Sequence, residues 1–353
     1  MQVTQAPGLE AGRAAAASPA DTTPPPVLDG VMPRAADAAT RPRSAERLAN
    51  VERLRIVAML EIVTFHVGGA LDTDDYRLPV VAGLGLPVFL LLNNAFNCTL
   101  AERRGTRAFL DAKVSRLLLP WLVWSVVYAG VVLAERVRHG EAVVAVFSWR
   151  TILGGTYTHL WFVPFALFGS LLIAGLQVET RSASHRRVAW LALAAGSLVV
   201  ALAALLLALT DAEWPLLQWL FALPSPLLGF ALGRVLLANE PRLSHRLAVL
   251  LSAVAIGAVG WSAFGPFPEM GRRYAVAMAL VAVLFTWPGR SDALSRRLAP
   301  LLFGIYLTHP LILRLYQAAH LPYVHPALLG ALLFAASALL VEVLRRTPLR
   351  GLV

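Results

Sequence analysis

The chain has 353 residues, 58% hydrophobic and 15% charged, with a mean hydropathy of +0.65. A soluble domain is nearer half apolar and a quarter charged, so this composition excludes a protein that buries its apolar surface in protein alone. The net charge of +10 comes from cations in short loops between apolar runs, which points to a membrane surface and away from nucleic acid. The single cysteine, Cys98, excludes an intramolecular disulfide, and no CxxC or HExxH spacing offers a metal site.

Residues 1–48 are rich in alanine, proline and small polar residues, with Pro24, Pro25 and Pro26 in a row. No apolar stretch follows a basic start, so they read as a disordered cytoplasmic tail and not a secretory signal peptide. Ten segments then have the length and apolarity to cross a hydrocarbon core of roughly 30 Å. They lie near 54–70, 80–100, 116–134, 159–177, 188–209, 214–237, 246–264, 274–288, 299–318 and 326–344. Each must satisfy its own backbone hydrogen bonds, so helices are expected. There is no internal repeat and no second domain. The expected fold is all-α, a polytopic membrane domain of about ten helices over 49–345 with a short cytoplasmic tail at 346–353. Of the 31 cations, 24 fall in the tail and alternate loops, and only Arg77, Arg136, Arg138, Arg150, Arg272 and Arg273 fall in the opposite ones. That alternation places both termini in the cytoplasm of a multi-pass plasma-membrane protein. The remaining cation, Arg314, lies within a span.

The first span carries Arg55 and, eleven residues on, His66. At about 100° per residue the two side chains fall within roughly 20° on one stripe, separated by about 16 Å along the axis. Arg55 sits at the cytoplasmic edge and His66 past the midpoint. Ionisable groups in a spanning helix are expensive and usually mark function. Imidazole titrates near neutrality and can take a proton from a hydroxyl, which makes His66 the candidate base. A guanidinium binds phosphate through a fork of donors, so Arg55 is a candidate anion clamp, with Arg116 of the third span on the same membrane face. Glu61 points about 140° away from His66 and is expected to pair with another helix or face a cavity. In the second span Asn93, Asn94 and Asn97 demand partners, and interhelical bonds are their default role. His159 and Trp161 begin the fourth span from the outer side, inside an aromatic run typical of membrane interfaces. Tyr306 and His309 lie mid-membrane in the ninth, where Pro310 frees a backbone carbonyl.

Four of these pieces, in this order, resemble the membrane-bound acyltransferase-3 family. They are Leu54-Arg55 with His66, Arg116-Leu117-Leu118-Leu119-Pro120-Trp121, His159-Leu160-Trp161-Phe162, and Gly304-Ile305-Tyr306-Leu307 with His309-Pro310. The resemblance covers about residues 50–345. Two places depart from the family pattern: Asn93-Asn94 stands where Ser-Gly is usual, and Glu52-Arg53 occupies the place of an acidic residue before the arginine. The resemblance implies transfer of an acyl group, commonly acetyl, from acyl-CoA as donor substrate to a hydroxyl of a carbohydrate, lipid-linked glycan or small molecule. It implies His66 as the catalytic base, by direct attack or through an acyl-histidine, and Arg55 as a donor-binding or organising residue. His159, Trp161, Tyr306, His309, Asn93 and Glu61 are then the expected substrate contacts, with no bound cofactor. A secreted natural product is the alternative acceptor. A transporter or flippase is the competing class, and the absence of an inverted repeat argues against it.

Overall fold

The computed structural model describes residues 35–71, 83–140, 148–264, 268–287, 289–290, 292–322 and 324–353. Among them are thirteen α-helices. They are α1 (Ala35–Leu71), α2 (Gly85–Arg104), α3 (Thr106–His139), α4 (Trp149–Gly154), α5 (Phe162–Glu179), α6 (His185–Leu209) and α7 (Leu216–Ala222), followed by α8 (Ser225–Ala238), α9 (Pro241–Phe264), α10 (Glu269–Thr286), α11 (Ala293–Leu298), α12 (Leu302–Ala318) and α13 (Pro326–Arg345). Residues 42–353 form one unit. Residues 35–41, the described part of the other, are the first turns of α1, so helix already runs through the end of the expected tail. The rest of that tail, residues 1–34, lies outside the described residues.

All ten expected segments hold helix. Among the described residues eight stretches are long and apolar enough to cross a membrane: Ala49–Leu71, Thr106–His139, Phe162–Glu179, His185–Leu209, Leu216–Ala238, Pro241–Ser262, Ala293–Ala318 and Pro326–Arg345. The other two segments are α2, weakened by its three asparagines, and α10, which carries Glu269, Arg272 and Arg273. Helix α2 tolerates that polarity because it is wrapped by α8, α5, α10 and α3 and buries most of its residues in protein. The sixth expected segment is broken at Pro224, which lacks the N–H that a continuous helix needs there, and so becomes α7 and α8.

Small residues set the closest helix contacts. On α8, Gly229 and Gly233 lie one turn apart against α2. A Cβ on Gly233 would stand 2.5 Å from Cys98 Cβ and 2.8 Å from the Ala95 carbonyl oxygen. The next residue of α8, Arg234, is 1% exposed. Its guanidinium donates to Gln177 Oε1 at 2.8 Å and to the Thr180 carbonyl at 2.9 Å, and lies 3.7 Å from the Glu102 carboxylate. This cation, which sequence position marks as a loop anchor, fastens α2, α5 and α8 together. Large apolar side chains remain exposed on α3, α6, α9 and α13, among them Val126, Leu198, Ile256 and Leu339, as contact with lipid requires.

Candidate active site

The stripe of α1 that holds Arg55 and His66 also holds Met59 and Ile62, at i+4 and i+7 from the arginine. Met59, Ile62 and His66 line a central cavity of about 190 Å³ together with Leu86 and Phe89 of α2, His159, Trp161 and Phe162 around the start of α5, and Tyr306 of α12. His66 is half-buried, and its Nδ1 lies 2.8 Å from the Ile62 carbonyl one turn back. That carbonyl can only accept, so Nδ1 carries the proton and Nε2 keeps its lone pair. An imidazole in this tautomer is ready to act as a base.

Glu61 also lines this cavity, but its carboxylate is committed. Oε1 accepts from the Gly83 N–H at 2.6 Å and Oε2 from the Gly85 N–H at 3.0 Å. Glu61 therefore caps the first turn of α2 from a neighbouring helix, at the end where free N–H groups favour negative charge. Gly83 has φ +74°, a left-handed conformation natural to glycine, and the Arg273 guanidinium packs on it where a Cβ would stand 2.6 Å from Arg273 Cζ. Arg273, on α10, reaches the same cavity, as does Gln218 of α7. Sequence order had marked Arg273 only as an outer-loop cation, and nothing in the pattern singled out Gln218.

Arg55 opens onto a different cavity, of about 360 Å³, lined by Glu52, Asn93, Phe96, Asn97, Arg103 and Lys113 among others. Its guanidinium lies 5.9 Å from the Phe89 ring centre and 5.7 Å from that of Phe96, within cation–π range. Phe89 lines the central cavity, so its ring links that cavity to the Arg55 guanidinium packed over it. Asn93 belongs to this basic cavity and not to the central one. Arg116 is exposed and outside the lining; Arg103 and Lys113 are the cations that join Arg55 there.

Behind His66 lies a cluster of rings. His309 is 5.1 Å from His66 and 5.8 Å from His159, centre to centre. His309 is buried, its Nδ1 donates to the Ile305 carbonyl at 3.1 Å, and its Nε2 has no partner. His159 is buried, with neither ring nitrogen in a well-formed hydrogen bond. The Tyr306 hydroxyl donates to the His159 carbonyl, which holds the turn before α5 against α12. Among the described residues no three His, Cys, Asp or Glu side chains form a group able to hold a metal ion.

The proline expected to disturb the ninth span does so at a specific point. Within α12, the Tyr128 hydroxyl donates to the Leu307 carbonyl at 2.8 Å and accepts from the Leu311 N–H at 3.1 Å. It is inserted between two groups that an unbroken helix would join, and so satisfies the ladder around Pro310 from α3. The asparagines of α2 act as interhelical bonds: Asn94 donates to Ser225 Oγ on α8 at 3.2 Å, and Asn97 to Ser170 Oγ on α5 at 3.3 Å. Asn94 also lies against Gly169 and Gly229, whose lack of side chains makes room for it.

A helical bundle too apolar for water, with a base-competent histidine on an internal cavity, has the parts of a membrane-embedded enzyme. Comparison with known families gives the class of chemistry. The acyltransferase-3 model, described as an acyltransferase domain, matches residues 48–344. The chain belongs to that family and is a multi-pass membrane acyltransferase. No match was found among curated proteins or solved structures.

Proposed function

We propose that the protein is an O-acyltransferase of the plasma membrane. It moves an acyl group, acetyl in the simplest case, from acyl-CoA to a hydroxyl of a carbohydrate or lipid-linked glycan, with His66 as the base. The observation that carries this reading is the His66 ring, with Nδ1 tied to the Ile62 carbonyl and Nε2 free beside the central cavity. Acyl-CoA comes from the cytoplasm, the side to which the 24 tail and alternate-loop cations assign the basic cavity, and its phosphates meet Arg55, Arg103 and Lys113. The thioester passes Phe89 and lies along Met59 and Ile62 toward His66. His66 Nε2 takes the proton of the acceptor hydroxyl as its oxygen attacks the thioester carbonyl. The C–O bond forms, the C–S bond breaks, and the imidazolium returns the proton to the thiolate. Side chains lining the cavity that can donate to the oxyanion are Thr158, Trp161, Gln218 and Arg273.

The test is His66→Gln, which keeps size and polarity and removes the base. Acyl transfer in isolated membranes supplied with radiolabelled acetyl-CoA is expected to fall by about 10²-fold or more. Transfer at near the normal rate by correctly inserted His66→Gln protein refutes the reading.

A further inference from the structure

Three residues of the central cavity, Phe65, His66 and Thr158, also line a second cavity of about 430 Å³ on the other side of the histidine. Its remaining wall is Gly69 and Ala70 at the end of α1, Tyr157, and Pro310, Leu313, Arg314 and Gln317 of α12. We propose that this side cavity is the docking site of a neutral, hydroxyl-rich acceptor such as a sugar, and that the central cavity takes the acyl group. This rests on the O-acyltransferase reading and deepens it by giving each substrate its own chamber, with His66 in the wall between.

The two linings differ as the two substrates do. On one side the central cavity follows the α1 stripe through Met59 and Ile62 and is faced by Leu86, Phe89 and Phe162, an apolar slot that reaches the Phe89 ring against Arg55, while its charged side chains Glu61 and Arg273 are engaged at Gly83. The side cavity sets a polar shelf beside His66. Arg314 Nε donates to the Tyr157 hydroxyl at 2.5 Å, and Nη1 lies 3.4 Å from Glu135 Oε1. The Gln317 amide donates to the Ala70 carbonyl at 3.4 Å across the rim. A cation within a spanning helix is costly and calls for a function, and Arg314 keeps 41% of its side chain exposed, so it is not sealed away as structural. Its charge is already balanced by Glu135, so the shelf offers hydrogen-bond donors and acceptors with little net charge. That matches a neutral polyol better than an anionic sugar. The volume falls in the range of small-molecule sites.

Gly69 supplies the test. A Cβ built there meets nothing within 4 Å, so Gly69→Cys places a thiol on the wall without displacing a neighbour. The native Cys98 is 0% exposed, so the introduced thiol is the reactive one. Membranes holding the full-length variant are modified with a bulky maleimide and supplied with radiolabelled acetyl-CoA. Label passing into membrane glycan reports transfer, and label released as acetate reports thioester cleavage by water. Modification is expected to cut transfer by about tenfold or more and to leave cleavage within about twofold. Undiminished transfer after complete modification overturns the proposal, and so does an equal loss of both activities, which would make this the donor's chamber. Independently of turnover, methyl glucoside is expected to slow modification of the introduced thiol by about threefold or more. An unchanged rate at saturating glycoside overturns the proposal. These outcomes are separate from His66→Gln, whose retained transfer would remove the underlying reading whatever the thiol reports.

Discussion

Replacement of Glu61 separates a structural carboxylate from a chemical one. Both oxygens of Glu61 accept backbone N–H groups, from Gly83 at 2.6 Å and Gly85 at 3.0 Å. Glu61→Ala leaves both N–H groups without an acceptor beside a cavity wall. At about 1–3 kcal/mol for each orphaned group, the loss is about 2–6 kcal/mol. Glu61→Gln keeps one accepting oxygen and turns an NH₂ toward the other N–H, so its cost is about 1–3 kcal/mol. For a chain this long, each kcal/mol moves the melting temperature by about 2 °C, giving falls of about 4–12 °C and about 2–6 °C. The assay is thermal loss of monodisperse protein in detergent, with acyl transfer measured well below the transition. Activity is expected to fall in step with stability, because Leu86 and Phe89 of the capped turn form the cavity wall. If Glu61→Gln melts with the native protein and yet abolishes transfer, the carboxylate belongs to the chemistry and the capping argument is wrong.

Gly233→Leu drives a side chain into Cys98 and the Ala95 carbonyl of α2, and is expected to cost about 1–3 kcal/mol or to block assembly, read as loss of monodisperse protein. Arg234→Leu strips Gln177 and the Thr180 carbonyl of their donor inside the bundle and is expected to cost about 3 kcal/mol or more, read by the same melt, while Arg242→Leu at an exposed site leaves it unchanged. The Ser295 N–H and the Arg53 guanidinium hold the Asp292 carboxyl below its ordinary range. A lowered folded-state value contributes stability that is fully present above the unfolded carboxylate range and is lost as pH falls from that range toward the folded-state value. Asp292→Asn should therefore remove part of the decline in melting temperature below about pH 5, and an unaltered decline would refute the assignment.

The sequence makes helices legible where apolar runs are long, because a bilayer leaves a chain few other ways to satisfy its backbone. Hydropathy also locates α2 and α10, although neither meets the apolarity of a lipid-facing span. Their polar residues turn inward to Ser170, Ser225 and the central cavity, and one-dimensional pattern does not distinguish inward from outward. The Arg55–His66 spacing puts both on one stripe of α1, yet the two line different cavities, a separation that spacing along one helix does not reveal. Arg234 and Arg273 look like their loop neighbours in composition. Only packing reveals that one is sealed among three helices and the other folded over Gly83. Tyr128 carries no local signal at all, since its role arises from a proline 182 positions later on another helix.

His66 and His309 each bind the carbonyl one turn back on their own helix. In a catalytic triad the orienting group comes from another part of the chain, so relative motion of elements can detune the base. Here the imidazole carries its orienter with it as a rigid part of α1. On the proposed acyl-transfer reading, substrates that displace neighbouring helices leave unchanged which nitrogen of His66 carries the proton. The tautomer of this imidazole is a property of the helix that bears it, independent of how the other helices pack around it.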